Sequence, residues 1–192
     1  MAATPSTMLS LGTAMPAFEL PDFSGKLVSS STGTQGAPAT LVVFLCPHCP
    51  FVRHTRMEIG RFAREYQDKG LVMFGINSND TTAFPEDGPD GMRQEAAVAG
   101  YTFPYLRDDT QSVAKLYQAA CTPDFFLFDA DLKLVYRGQL DSSRPGNNIP
   151  VTGADLRAAT DAVLAGRAPS PVQKPSIGCN IKWKPGNAPS YF

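Results

Sequence analysis

Little in this sequence is present in excess, and each scarcity narrows what the chain can be. Four of the 192 residues are cysteine and two are histidine, too few cysteines for a scaffold stapled by disulfides. Lysine and arginine number 17 against 18 aspartates and glutamates, so the net charge is −1. That balance offers no basic face to nucleic acid or to an anionic membrane surface. No apolar run approaches the roughly 18–20 residues needed to span a bilayer, and MAATPSTMLSLGTAMPAFEL at the start has neither the basic region nor the continuous apolar stretch of a secretory signal. With 43 % hydrophobic and 18 % charged residues, the expectation is a cytoplasmic globular protein of one domain. Its expected partners are proteins or small molecules, with no nucleic acid and no membrane.

What is present has a clear order. Ala39 to Leu45 (ATLVVFL) is short, rich in β-formers and without alternation, as a strand buried on both faces reads. Ile59, Phe62, Ala63 and Tyr66 then recur at helical spacing between charged residues, predicting an amphipathic helix from about Pro47 to Lys69, closed by Gly70. Leu71 to Asn77 (LVMFGIN) is a second apolar strand. Strand, helix, strand is the unit that builds parallel pairs. After the turn-rich SNDTTAFPEDGPDG, helices are expected over Met92–Ala99 and Gln111–Ala119 around the extended FPYLRDD. Phe125–Phe128 and Leu134–Leu140 read as a β-hairpin across Asp129–Lys133. Thr152-Gly153-Ala154-Asp155 resembles a capping box opening a helix that runs through Val163 to Gly166. The expected divisions are a tail over residues 1–10, a domain over 11–166 and an arm over 167–192. The arm carries Ile177, Cys179, Ile181, Trp183, Tyr191 and Phe192, apolar enough to pack along the domain.

At the junction of the first strand and helix stands Cys46-Pro47-His48-Cys49. Backbone N–H groups left unpaired at a helix start favour negative charge, and a thiolate is such a charge. Pro47 suits an early helical position, and the two-residue spacer brings Cys49 within disulfide reach while leaving Cys46 at the exposed start of the turn. Ionising a thiol at neutral pH requires lowering its pKa by about two units, roughly 2.7 kcal/mol, of which a helix end supplies about 0.3–1 kcal/mol. N–H bonds to sulfur, the second thiol and a protonated His48 are the further sources, and a stabilised thiolate makes the couple more oxidising. Three readings of the pair are open: a redox dithiol, half of a metal site, or inert core. Metal is disfavoured because Cys121 and Cys179 stand alone and His54 is the other histidine, where a structural zinc site draws on two ligand pairs. The dithiol reading is preferred, and no metal or cofactor is expected.

Together with Thr122-Pro123 leading into FFLFDADLKLVYRG, this order resembles the thioredoxin fold over about residues 11 to 166. The resemblance implies an α/β three-layer sandwich, a mixed central sheet flanked by helices, here with a C-terminal extension. It also implies that Pro123 is cis and faces the dithiol, and that the backbone at Thr122 and Pro123 pairs with an incoming substrate. The lead-in LGTAMPAFELPDFSGKLVSSS, TPDFFLFD, VYRGQLDSSRP and PSIGCNIKWKPGN is similar to bacterial peroxiredoxin-like proteins of the alkyl hydroperoxide reductase/thiol-specific antioxidant superfamily. Peroxiredoxins place their peroxidatic cysteine where Cys49 stands, with a threonine where this chain has Cys46, and Arg137 is the one candidate for their active-site arginine. Thioredoxins bury an aspartate where this chain has Thr40, leaving Asp124 as a candidate proton acceptor.

The function expected is thiol–disulfide exchange in cell redox homeostasis, with Cys46 attacking and Cys49 resolving, helped by Pro47 and His48, on protein or small-molecule thiols and disulfides. The alternatives are a thiol peroxidase and a non-enzymatic metal- or partner-binding module. Cys121 and Cys179 are possible auxiliary thiols, each also readable as packing. His54 reads as a helix-surface residue. A monomer and a homodimer are both compatible with the sequence.

Overall fold

The computed structural model describes residues 3–192. Its elements in chain order are β1 (Ala3–Pro5), β2 (Glu19–Pro21), β3 (Leu27–Ser29), α1 (Ser30–Gly33), β4 (Ala39–Phe44), α2 (Pro50–Gln67), β5 (Leu71–Asn77), a 3-10 turn (Pro85–Asp87), α3 (Pro89–Ala99), β6 (Tyr105–Arg107), α4 (Ser112–Leu116), β7 (Cys121–Thr122), β8 (Asp124–Asp129), β9 (Leu134–Gly138), α5 (Ala154–Leu164) and β10 (Ile177–Asn180).

The apolar run at residue 39 becomes the middle of a five-stranded sheet ordered β6-β5-β4-β8-β9. β5 and β6 run parallel to β4, while β8 and β9 are antiparallel, so the sheet is mixed. Every residue of β4 is buried, and its side chains alternate between two cores. Leu41, Val43 and Leu45 pack with Ile59 and Phe62 of α2 and Leu156 of α5. Val42 and Phe44 pack with Phe74, Tyr117, Phe126 and Val113 of α4 on the other face. Burying one such side chain contributes about 1.5–3 kcal/mol, which accounts for helices on both faces of a sheet with no wet side.

Four expectations change in detail. The first long helix starts at Pro50 rather than Pro47, leaving Cys46–Cys49 as a turn in which the Cys49 N–H donates to the Cys46 carbonyl at 3.4 Å. A residue before proline is driven out of the helical region, and Cys49, with ψ 121°, is held extended by Pro50. The second middle helix is shorter than Gln111–Ala119 because Gln111 and Gln118 both take positive φ, 62° and 49°. α5 has Gly153 as its N-cap and no side-chain capping bond. In place of the expected capping box, the Asp141 carboxylate accepts the N–H groups of Thr152 and Gly153 from a distant loop. β9 ends at Gly138, two residues early, because the Gln139 N–H donates to the Lys174 carbonyl of the arm.

The two ends of the chain meet. β10 lies between β1 and β7 in a separate antiparallel sheet, so residues 3–5 belong with the arm and the arm runs into the centre of the fold. Among the described residues no helix is long and apolar enough to cross a membrane.

Candidate active site

The end of β4, the start of α2 and the β7–β8 junction converge on the two paired cysteines. The Thr122–Pro123 peptide bond is cis. Thr122 touches both sulfurs: its Oγ1 lies 3.3 Å from Cys46 Sγ, and its carbonyl accepts the Cys49 thiol at 3.1 Å. Cys46 is 1 % exposed and Cys49 is fully buried. The expectation of an exposed Cys46 is therefore corrected, because Thr122 lies against both sulfurs and the His48 ring lies beside Cys46.

The polarity of the pair also differs from expectation. The sulfur at the start of α2 is that of Cys49, since Pro50 opens the helix. Its pKa is drawn down, first by the Cys179 thiol beside it and then by the Cys46 thiol. Cys46 moves up, chiefly because it is buried, with the Cys49 thiol and the Asp87 carboxylate adding to the rise. Cys49 is accordingly the more acidic of the two. The first proton lost belongs to the pair, and the one that remains rests on Cys46.

His48 is the partly exposed member of the turn. Its Nδ1 sits 2.5 Å from Asp87 Oδ2 and 4.0 Å from Cys46 Sγ, its backbone N–H donates to Asp87 Oδ1 at 3.0 Å, and its ring stacks on Phe84 with centroids 5.2 Å apart. The Asp87 hydrogen bond raises the His48 pKa above its ordinary value. Asp87 is fully buried, held by the side-chain amides of Asn79 on Oδ2 and Asn77 on its carbonyl. Sequence reasoning missed Asp87, Phe84 and Asn79. They lie in SNDTTAFPEDGPDG, where nothing local separates the buried Asp87 from its exposed neighbours Glu86 and Asp90. Glu95 is a second buried carboxyl close enough to feel the Cys49 charge, and burial pushes it up to about 7.

Several expected participants are elsewhere. Asp124 is fully buried and accepts a 2.6 Å hydrogen bond from Ser6 Oγ, and burial pushes it up to about 7. Arg137 donates to the Leu9 carbonyl and to Gln173, bracing the N-terminal segment and the arm. His54 bonds Ser143 Oγ at 2.7 Å. Thr40 is buried with its hydroxyl unpaired. Cys121 has its sulfur 3.8 Å from the Pro123 carbonyl, and burial pushes its thiol up. Cys179 is brought to the dithiol by the pairing of β10 with β7, in register with Thr122. As for metal, Cys46, His48 and Asp87 bring three ligand atoms within 4.8 Å of one another, one donor short of a closed structural zinc site.

A mixed sheet between helix layers, with a buried dithiol at a strand-to-helix junction facing a cis proline, defines the thioredoxin-like class. The Redoxin family's sequence profile matches residues 10–156, and the chain belongs to that family. It is similar to the crystal structure of an uncharacterized conserved protein from Geobacillus kaustophilus, 53 % identical, covering 97 % of this chain and 98 % of that one with a TM-score of 0.93. It is equally similar to a hypothetical protein from Sinorhizobium meliloti, 51 % identical over 95 % and 100 % of the two chains, TM-score 0.93. The thioredoxin domain of a thiol-disulfide oxidoreductase from Bacteroides vulgatus shares the fold at 20 % identity, covering 67 % of this chain and 88 % of that one, TM-score 0.56. No curated protein sequence matches this chain.

Proposed function

We propose that this protein is a thiol–disulfide oxidoreductase working by dithiol–disulfide exchange between Cys46 and Cys49, on protein or small-molecule thiols and disulfides, in cell redox homeostasis. One observation carries the reading: a single residue, Thr122, contacts both sulfurs at the cis proline, with its hydroxyl 3.3 Å from Cys46 and its carbonyl 3.1 Å from Cys49. Passage of the shared proton from Cys46 to Cys49 makes the Cys46 sulfur a nucleophile, stabilised by the Thr122 hydroxyl. It attacks a substrate disulfide, forming a mixed disulfide and releasing one thiolate. Cys49 gives its proton to the released thiolate, attacks Cys46 Sγ as a thiolate, expels the second thiolate and closes the Cys46–Cys49 bond. His48, held by Asp87, lies within 4.0 Å of Cys46 and positions charge beside it.

Turnover of a model disulfide by the wild type and by Cys46→Ser tests the proposal. The expected outcome is a fall to the rate of free thiols in the variant, and equal rates would sink the proposal. A second reading, a peroxiredoxin-like thiol peroxidase, is favoured by one fact: the acidic sulfur is Cys49, which stands where the resemblance puts a peroxidatic cysteine. Peroxide consumption no faster than that of free cysteine removes it.

A further inference from the structure

β10 occupies the backbone edge of β7, where an incoming substrate was expected to pair. Cys179 stands opposite Thr122 on one side and opposite Ala3 of β1 on the other. The fit against β7 is close, since a Cβ on Gly178 would lie 2.0 Å from the Thr122 carbonyl oxygen. Ser176 Oγ donates to the Pro123 carbonyl at 2.5 Å, the Ile181 N–H to the Ala120 carbonyl at 3.1 Å, and the Lys182 N–H to Asn79 Oδ1 at 2.8 Å. The arm is thus pinned on both sides of Cys179. Thr122 meets three cysteines: Cys46 through its hydroxyl, Cys49 through its carbonyl, and Cys179 across the strand pair. All three are buried in one core cluster.

We propose that Cys179 is a third redox thiol, which exchanges with the Cys46–Cys49 disulfide to give a Cys49–Cys179 disulfide and a reduced Cys46. The inference rests on the dithiol reading, because without that disulfide Cys179 has nothing to attack. Cys179, as thiolate, attacks Cys49 Sγ. The Cys49–Cys179 bond forms as the Cys46–Cys49 bond breaks, the electron pair leaves with Cys46 Sγ, and the proton given up by Cys179 ends on Cys46. The oxidation level of the chain is the same before and after, so no outside oxidant enters. The rearrangement frees Cys46 for a second substrate and ties the arm covalently to the start of α2. Cys121 stays out of it, because neighbouring residues of a strand point to opposite faces and its sulfur lies against the Pro123 carbonyl.

Full-length protein is reduced, treated with glutathione disulfide, quenched with N-ethylmaleimide, digested without reductant and mapped by mass spectrometry. The wild type is expected to yield both the internal Cys46–Cys49 link and a cross-link from the Cys49 peptide to the Cys179 peptide. Cys46→Ser and Cys46→Ala are expected to yield the cross-link as the main oxidised species, and Cys179→Ser to yield the internal link alone. Circular dichroism of each variant identifies any that has failed to fold, and two variants at position 46 keep the decision independent of either. If the wild type forms the internal link while Cys179 is fully alkylated in it and in both position-46 variants, the inference is overturned and the dithiol reading stands. If the wild type forms no internal link, the dithiol reading falls and the exchange falls with it.

Discussion

At the scale of the residue, the surroundings of each sulfur set which one is acidic. Pro50 excludes Cys49 from the helical region and makes it the N-cap of α2, where the Cys179 thiol and then the Cys46 thiol draw its pKa down. Cys46 is pushed up chiefly by burial, with the Cys49 thiol and the Asp87 carboxylate adding to the rise. The thiolate absorbance of Cys46→Ser, which retains Cys49, is therefore expected to appear at lower pH than that of Cys49→Ser, which retains Cys46. The reverse order would undo the assignment. Burial pushes Cys121 up as well, which keeps its thiol from obscuring that comparison. The Cys-Pro-His-Cys spacing was read from the chain alone, whereas the effect of Pro50, one residue after Cys49, was overlooked in favour of a helix from about Pro47. The carboxylate that governs His48 was not readable. Asp87 reaches it from 39 positions away through a turn whose acidic residues look alike until burial distinguishes them.

At the scale of the element, the β4–α2–β5 unit follows from hydrophobic patterning, because runs buried on both faces and a helical stripe each have one stable arrangement. Short pieces are different. β7 has two residues and β10 four, too few for any periodicity, and their pairing is decided by close fit. Gly178 is the position where that fit is tightest. Gly178→Ala is expected to destabilise the protein by about 1–3 kcal/mol, the usual cost of forcing atoms into a filled space, as read by the midpoint of denaturant unfolding. An unchanged midpoint would mean that β10 does not press on Thr122. The same variant should loosen Cys179 from Cys49, so its oxidised form should carry less of the arm cross-link than the wild type.

For the whole molecule, the meeting of the two chain ends is centred on Asp124. Its carboxylate accepts from Ser6, Ser6 Oγ in turn accepts the Ser176 N–H of the arm, and the second carboxyl oxygen has no partner. Burial raises the Asp124 pKa from 3.8 to about 7, so the folded protein holds a proton that the unfolded chain releases between those values. For an acid shifted upward, stability is full below the unfolded pKa and declines as pH rises toward the folded one, by up to about 1.4 kcal/mol per pH unit for one proton. Unfolding free energies of wild type and Asp124→Asn, compared across pH 4 to 8, should differ by a curve that turns against the wild type over that window and levels above pH 7. A flat difference would show that Asp124 titrates alike in both states.

The order of the central strands and helix and the pair of cysteines on which the chemistry rests were set by the chain's own pattern, through periodicity, proline and spacing, and the class of fold was what its resemblance to the thioredoxin fold implied. Tertiary structure alone decided that Cys46 is buried, that Asp87 holds His48, and that the arm brings Cys179 to Thr122. Each of these depends on contacts between segments 39 to 76 residues apart or on the pairing of short strands. In such cases close packing and desolvation select the partner, and no pattern within a single segment records the choice.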